Sequence, residues 1–322
     1  MCMERVGQKI SSSSFRSVFK IVDKEALHWF PGHMGKGLKQ MQQKLRSVDC
    51  VIEVHDSRVP LSGRNIDFKY TIAGIKPHIL VLNKVDLIQR KYIEKIETKL
   101  KNEYENIIFT NCKDQKCKGI SELLSTAQHL INNSNRYNRS DANDFNIMII
   151  GVPNVGKSSL VNALRVKHLH KGHASPVGAA PGITRSVLNK IKISEDPLFY
   201  MLDTPGILTP TVQDTEAGLK LSLCATLQDH LVGETVMADY LLYHLNKYEH
   251  FKYVSYFKLQ NPTDDILIVL SQICRDRKKM LRIRNFENEY ILKPDFDLAA
   301  KIMLTSFRNG DLGRIVLDEG LL

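Results

Sequence analysis

The octet Gly151-Val152-Pro153-Asn154-Val155-Gly156-Lys157-Ser158 restricts the possible folds more than any other feature of this chain. It follows the strand-like run Asn146 to Ile150 and precedes an apolar helical run, the context that a phosphate-cradling loop requires. In such a loop the glycines let backbone amides turn inward to a β-phosphate, Lys157 reaches the β and γ oxygens, and the Ser158 hydroxyl ligates Mg²⁺. Phosphate contacts are expected from Asn154, Val155, Gly156, Lys157, Ser158 and Ser159.

Asn83-Lys84-Val85-Asp86 ends a second apolar run, Ile79 to Leu82. A carboxylate at Asp86 accepts from the N1 and N2 hydrogens of guanine, and adenine offers no such donor pair. Discrimination of this kind reaches ~10⁴, because the wrong base leaves buried polar groups unpaired. Asn83, Lys84 and Asp86 are therefore base-reading candidates. Asn111 and Cys112, in Asn111-Cys112-Lys113, stand where a backbone amide would meet guanine O6. Asp203-Thr204-Pro205-Gly206 closes a third run, where Asp203 can hold Mg²⁺ through water and the Gly206 amide can sense a γ-phosphate. Thr184, within Pro181-Gly182-Ile183-Thr184-Arg185, supplies a second hydroxyl, so the expected magnesium set is Ser158, Thr184 and Asp203.

The short apolar runs Val51 to Val54, Ile79 to Leu82, Ile107 to Phe109, Ile147 to Ile150 and Phe199 to Leu202 read as buried parallel strands with helices between them. That predicts an α/β fold, a doubly wound, mostly parallel sheet. Asn132 to Asn143 is polar and reads as a surface linker. After about residue 212 the strands are expected to give way to helices. Leu219, Leu223, Leu227 and Leu231 form an i, i+4 stripe, and Thr263-Asp264-Asp265 starts another helix. The expected organisation is a nucleotide domain over 28–211 and a smaller helical domain over 212–322.

The chain carries 45 Lys and Arg against 35 acids, a net charge of +10. Such a balance suits a polyanionic partner. Residues 275 to 284 hold six basic side chains and one acid, and the last helix is expected to end at Phe307-Arg308-Asn309-Gly310, followed by Gly313-Arg314. Arg277, Lys278, Lys279, Arg282, Arg308 and Arg314 are the candidate RNA contacts. Lys36, Lys39, Lys44 and Arg46 form a second basic stretch. The six cysteines have no paired short spacing and read as reduced thiols, Cys112 with Cys117 being a weak zinc half-site. No apolar run is long enough for a membrane span. Residues 5 to 22 lack acids and are Ser-rich and basic, the composition of a mitochondrial targeting segment, which is expected over residues 1–27.

The nucleotide motifs resemble those of the translation-factor class of P-loop GTPases, but there the phosphate loop comes first. Here the base-reading motif begins 68 residues upstream of it (151 minus 83). That permuted order, with Trp29-Phe30-Pro31-Gly32-His33-Met34 and Asp56-Ser57-Arg58-Val59-Pro60-Leu61-Ser62-Gly63-Arg64-Asn65, resembles the ribosome-assembly GTPases of the YlqF type and their mitochondrial counterparts, over residues 28 to 318. The resemblance implies a GTPase that assists late assembly of the mitochondrial large ribosomal subunit. It also implies a helical domain that binds ribosomal RNA, and peripheral attachment on the matrix side of the inner membrane. A monomer is expected. Ile207 and Leu208 follow Gly206 where Ras-like enzymes have a water-orienting Gln, and the resemblance points to His33 for that task. It also makes Asn154 the candidate support for an activating K⁺. Two competing readings are a signalling switch with a protein effector and a nucleotide-gated RNA-binding module in which hydrolysis is incidental.

Overall fold

A computed structural model describes residues 15–20, 43–64, 76–136, 139–171, 190–204, 215–227, 229–284 and 289–322. The described residues fall into two compact units. One comprises 43–232 and 314–322; the other comprises 233–313 together with 15–20.

The larger unit is built on a six-stranded sheet. Its strands are β1 (Cys50–Asp56), β2 (His78–Asn83), β3 (Ile107–Phe109), β4 (Phe145–Ile150), β5 (Lys190–Glu195) and β6 (Leu198–Asp203), in the spatial order β3-β2-β1-β4-β6-β5. Each of the five predicted runs lies within a strand, and these five pair in parallel. The runs are mostly apolar because both faces are covered: every residue of β1 is buried, Glu53 included. β5 was not foreseen. It pairs antiparallel at the edge, and its sequence alternates Lys190, Ile191, Lys192, Ile193. Three helices serve this sheet, α1 (Lys91–Leu100), α2 (Lys118–Asn132) and α3 (Lys157–Leu169).

The stretch 132–143 does more than cross the surface. Arg136 and Arg139 both converge on the buried carboxylate of Asp49, with contacts of 3.1 to 3.2 Å, while the Asn146 amide donates to the same carboxylate at 2.8 Å. Asp49 stands just before β1 and Asn146 lies in β4, so this ion cluster pins the connection that the permuted order makes necessary.

Three expectations about the later part of the chain are corrected. The leucine stripe is not one helix: α4 (Thr215–Leu223) ends where Ala225 adopts φ of 60° and the Thr226 amide turns back to the Leu221 carbonyl, and α5 (Asp229–Val232) follows. Both helices belong to the larger unit, which ends at Val232, not at residue 211. The smaller unit is also not purely helical. It holds α6 (Glu234–Lys247), α7 (Lys252–Tyr256), α8 (Ile266–Arg277) and α9 (Phe296–Asn309), with an antiparallel hairpin, β7 (Met280–Arg284) and β8 (Tyr290–Pro294), between the last two. Asp265 caps α8 by accepting from the Leu267 amide, and Gly310 closes α9 at φ of 87°.

Part of the expected targeting segment is docked within the smaller unit. The Arg16 guanidinium contacts Asp239 at 2.7 Å and Asp264 at 3.0 Å, and its amide donates to Asp264 at 2.7 Å. The Phe19 ring packs edge-on against Tyr240 with centroids 5.2 Å apart, and the Tyr243 hydroxyl donates to the Ser17 carbonyl. Residues 15–20 are part of this unit's packing.

Candidate functional site

β1 lies between β2 and β4, so the loops leaving the C-terminal ends of β2 and β4 emerge on either side of it, on one edge of the sheet. Those loops carry the two principal motifs, and direct hydrogen bonds join them. The Asn83 Nδ2 donates to the Val155 carbonyl at 2.8 Å, and Lys84 Nζ donates to the Asn154 carbonyl at 2.7 Å. Gly156 adopts φ of 102°, and a Cβ there would stand 2.2 Å from Asn83 Nδ2. Only glycine leaves room for this junction.

Asn83 itself is held from several sides. Its Oδ1 accepts from the Thr110 hydroxyl and the Cys112 thiol, both at 3.2 Å, and its carbonyl accepts from the Ser57 amide at 2.8 Å and the Ser57 hydroxyl at 2.7 Å. Burial, then the neighbouring Cys117, pushes the Cys112 thiol up to about 12, so it stays protonated and able to donate. Lys84, in a left-handed conformation at φ of 62°, also meets Asp56 at 2.9 Å. Arg58 grips the same carboxylate through Nε at 3.0 Å and an Nη at 2.8 Å. Burial opposes ionisation of Asp56, yet Arg58 and Lys84 hold it well below the usual carboxylate range.

Asp56, Ser57 and Arg58 are the residues that motif reading overlooked. They were noted as a family signature without a role. Their role is to brace the base-reading loop, and because Ser57 reaches Asn83 and Asp56 reaches Lys84 across more than twenty residues, spacing alone gave no hint.

Asp86 lies in a short 3₁₀ turn, Val85–Leu87, and its carboxylate has no hydrogen-bond or ion-pair partner among the described residues. In Asn111-Cys112-Lys113 the Asn111 amide donates to Cys117 Sγ and the Lys113 amide to Asn111 Oδ1. The Cys112 amide is the one of the three without a protein acceptor among the described residues.

Lys157 and Ser158 open α3, with Gly156 as the residue before it, and the Lys157 ammonium is held over the loop by the Gly151 and Val152 carbonyls at 3.0 and 2.9 Å. Ser159 follows in the same first turn. Asn154, at φ of 60°, donates from Nδ2 to the Ala225 carbonyl at 2.6 Å, which ties the phosphate loop to the segment after α4. Asp203 ends β6 in register with Ile149 of β4, two residues before the loop. The Ser158 hydroxyl at the start of α3 is an oxygen donor of the kind Mg²⁺ takes. His33, Thr184 and Gly206 lie outside the described residues.

The last nine residues return to this unit. The Ile315 amide donates to the Leu87 carbonyl at 3.0 Å, directly beyond Asp86, and the Leu317 amide donates to the Arg58 carbonyl at 2.7 Å. Asp318, fully buried, accepts from the Leu61 amide at 2.8 Å and the Ser62 amide at 2.9 Å, and meets Lys220 Nζ of α4 at 3.4 Å.

Of the RNA candidates, Arg277 ends α8 and contacts Asp276 at 3.6 Å, Lys278 caps that helix at φ of 53°, Lys279 leads into β7, and Arg282 lies on β7. Arg308 is in the last turn of α9. Arg314 belongs to the larger unit.

A phosphate loop locked to a base-reading loop on a mostly parallel sheet, with the second motif earlier in the chain, defines a circularly permuted P-loop GTPase. The model of the family described as 50S ribosome-binding GTPase matches residues 146–288. The chain is 58% identical over 311 residues to Mitochondrial GTPase 1 of Aedes aegypti, covering 96% of this chain and 98% of that one. It is 47% identical to the Mitochondrial ribosome-associated GTPase 1 of Bos taurus, covering 96% and 94%. Among solved structures, the GNP-bound YlqF of T. maritima shares the fold with a TM-score of 0.56 at 22% identity, over 88% of this chain and 97% of that one. The chain belongs to the mitochondrial GTPase 1 family, and it hydrolyses GTP.

Proposed function

We propose that this GTPase is an assembly factor for the large subunit of the mitochondrial ribosome, binding ribosomal RNA in its GTP state and released on hydrolysis. The observation that carries the nucleotide half of this reading is the hydrogen bond from Asn83 to Val155, which puts base-reading and phosphate-holding loops in one site. Asp86 accepts from guanine N1–H and N2–H, the free Cys112 amide meets O6, and Lys84 flanks the base. The phosphates lie against the amides of Asn154 through Ser159 and the Lys157 ammonium, with Gly206 sensing the γ-phosphate. Ser158, Thr184 and Asp203 would hold Mg²⁺, which would offset negative charge on the phosphates.

His33 orients the attacking water when the ribosomal particle is bound, which makes unstimulated turnover slow. Asn154 would support a K⁺ that supplies positive charge as an arginine finger does. The ribosomal half of the reading is supported by the names of the relatives and by the basic balance of the chain. Attachment to the matrix side of the inner membrane is peripheral; among the described residues no helix is long and apolar enough to cross a membrane.

The test is GTP turnover with and without purified mitochondrial large subunits, in K⁺ and in Na⁺. Stimulation by the particle that His33→Ala abolishes, with GTP affinity kept, supports the proposal. Turnover indifferent to the particle overturns it.

A further inference from the structure

The β7–β8 hairpin presents a surface that a folded domain does not normally leave open. Its register pairs Arg284 with Tyr290, Arg282 with Leu292 and Met280 with Pro294, and the two-residue period of a strand brings all six to one face. On that face Tyr290 is 56% exposed, Leu292 66% and Met280 44%. A contiguous apolar patch in water is costly unless something covers it.

The same face is strongly basic. The Arg282 guanidinium lies 3.9 Å from the centre of the Tyr290 ring and that of Arg284 lies 5.2 Å from it. Neither arginine has an acidic partner among the described residues. Cation–π contact holds the arginines against the ring and leaves their outer faces and N–H edges toward solvent. The ten strand residues include Arg282, Arg284 and Lys293 and no acid, and Lys278 and Lys279 stand at the root of β7.

Flat cationic and aromatic groups beside apolar side chains fit an unpaired nucleotide better than a duplex. Bases stack on guanidinium and tyrosyl planes, phosphates take the N–H edges, and the deep, narrow major groove of A-form RNA admits no ribbon of this width. We infer that the hairpin is a binding platform for unpaired RNA, with Tyr290, Arg282 and Arg284 stacking one or two splayed bases and Leu292 and Met280 packing beside them. This rests on the ribosomal-RNA reading above and assigns it to a particular face and to single-stranded RNA.

The test uses the full chain loaded with GTP and measures anisotropy with a labelled 12-nucleotide single-stranded RNA and with its duplex. The wild type should favour the single strand. Tyr290→Ala should weaken that binding roughly tenfold, within the range for loss of one base–aromatic stack, and the Arg282→Gln, Arg284→Gln double variant should do so too with a shallower salt dependence. Tyr290→Phe keeps the ring and should bind as the wild type does, and GTP turnover without ribosomes should be unchanged in every variant. Tight wild-type binding that Tyr290→Ala and the double variant leave untouched overturns the hairpin assignment alone. A wild type that binds neither probe overturns the RNA reading with it.

Discussion

The side chain of Asn83 donates to the carbonyl of Val155 at 2.8 Å across 72 residues of sequence. This bond fixes the distance between the pocket for a base and the cradle for its phosphates. Removing the amide in Asn83→Ala strips the buried Val155 carbonyl, the Thr110 hydroxyl and the Cys112 thiol of their partner. The expected cost is about 1–3 kcal/mol for groups left unsatisfied, seen as a weaker affinity for GTP and GDP alike, measured by titration with a fluorescent nucleotide. Gly156→Ala should be more severe, since both its φ and the approach of Asn83 exclude a methyl group.

The buried carboxylate of Glu53 makes stability depend on acid pH. Burial pushes its carboxyl up, but His55 at 2.6 Å and then His78 at 3.0 Å outweigh this and lower it from 4.5 to about 2. A group depressed on folding contributes stability that is present above pH 4.5 and is lost as pH falls from there toward 2. The contribution is ~3 kcal/mol as an order of magnitude. Denaturant midpoints measured from pH 6 down to 2.5 should fall steeply below 4.5 in the wild type, and the fall should flatten in Glu53→Gln.

Much of the core was readable because parallel strands covered on both faces carry apolar runs, continuous in Ile147 to Ile150 and broken only by Glu53 in Val51 to Val54. The nucleotide loops were readable because glycines, Lys157 and Asp86 must stand at fixed spacing to do their chemistry. β5 escaped notice because Lys190 and Lys192 alternate with isoleucines at an edge, which lacks the signature of a buried strand. The hairpin at β7 and β8 was hidden by its own arginines, which read as part of a basic, phosphate-contacting stretch rather than as a strand. The bracing of Asn83 by Ser57 and the return of Asp318 to Ser62 are long-range contacts, and no local pattern encodes them.

Asp318 closes the larger unit by binding two amides and facing Lys220, which is 5% exposed. Asp318→Ala leaves the Leu61 and Ser62 amides without their acceptor and Lys220 with Glu216 at 3.3 Å as its remaining counter-charge, a change expected to cost about 1–3 kcal/mol. The thermal midpoint should drop by several degrees. Nucleotide exchange should quicken as well, because the same tail holds the Leu87 carbonyl next to Asp86.

Residues 15–20 cannot be removed without exposing what they cover. Deleting 1–20 should lower thermal stability by roughly 1–3 kcal/mol, as Asp239 and Asp264 lose the Arg16 guanidinium. N-terminal sequencing of the protein isolated from mitochondria should accordingly find its first residue at or before Phe15.

Base discrimination is the most direct measure of whether the two loops form one guanine site. Calorimetric titration should give wild-type affinity for GTP exceeding that for ATP by ~10³–10⁴. In Asp86→Asn the preference for GTP should collapse and xanthosine triphosphate should bind best, since the amide can donate to the oxygen that replaces the guanine amino group. Equal affinity of the wild type for GTP and ATP, or an Asp86→Asn protein that still prefers GTP, would contradict the placement of the base against Asp86.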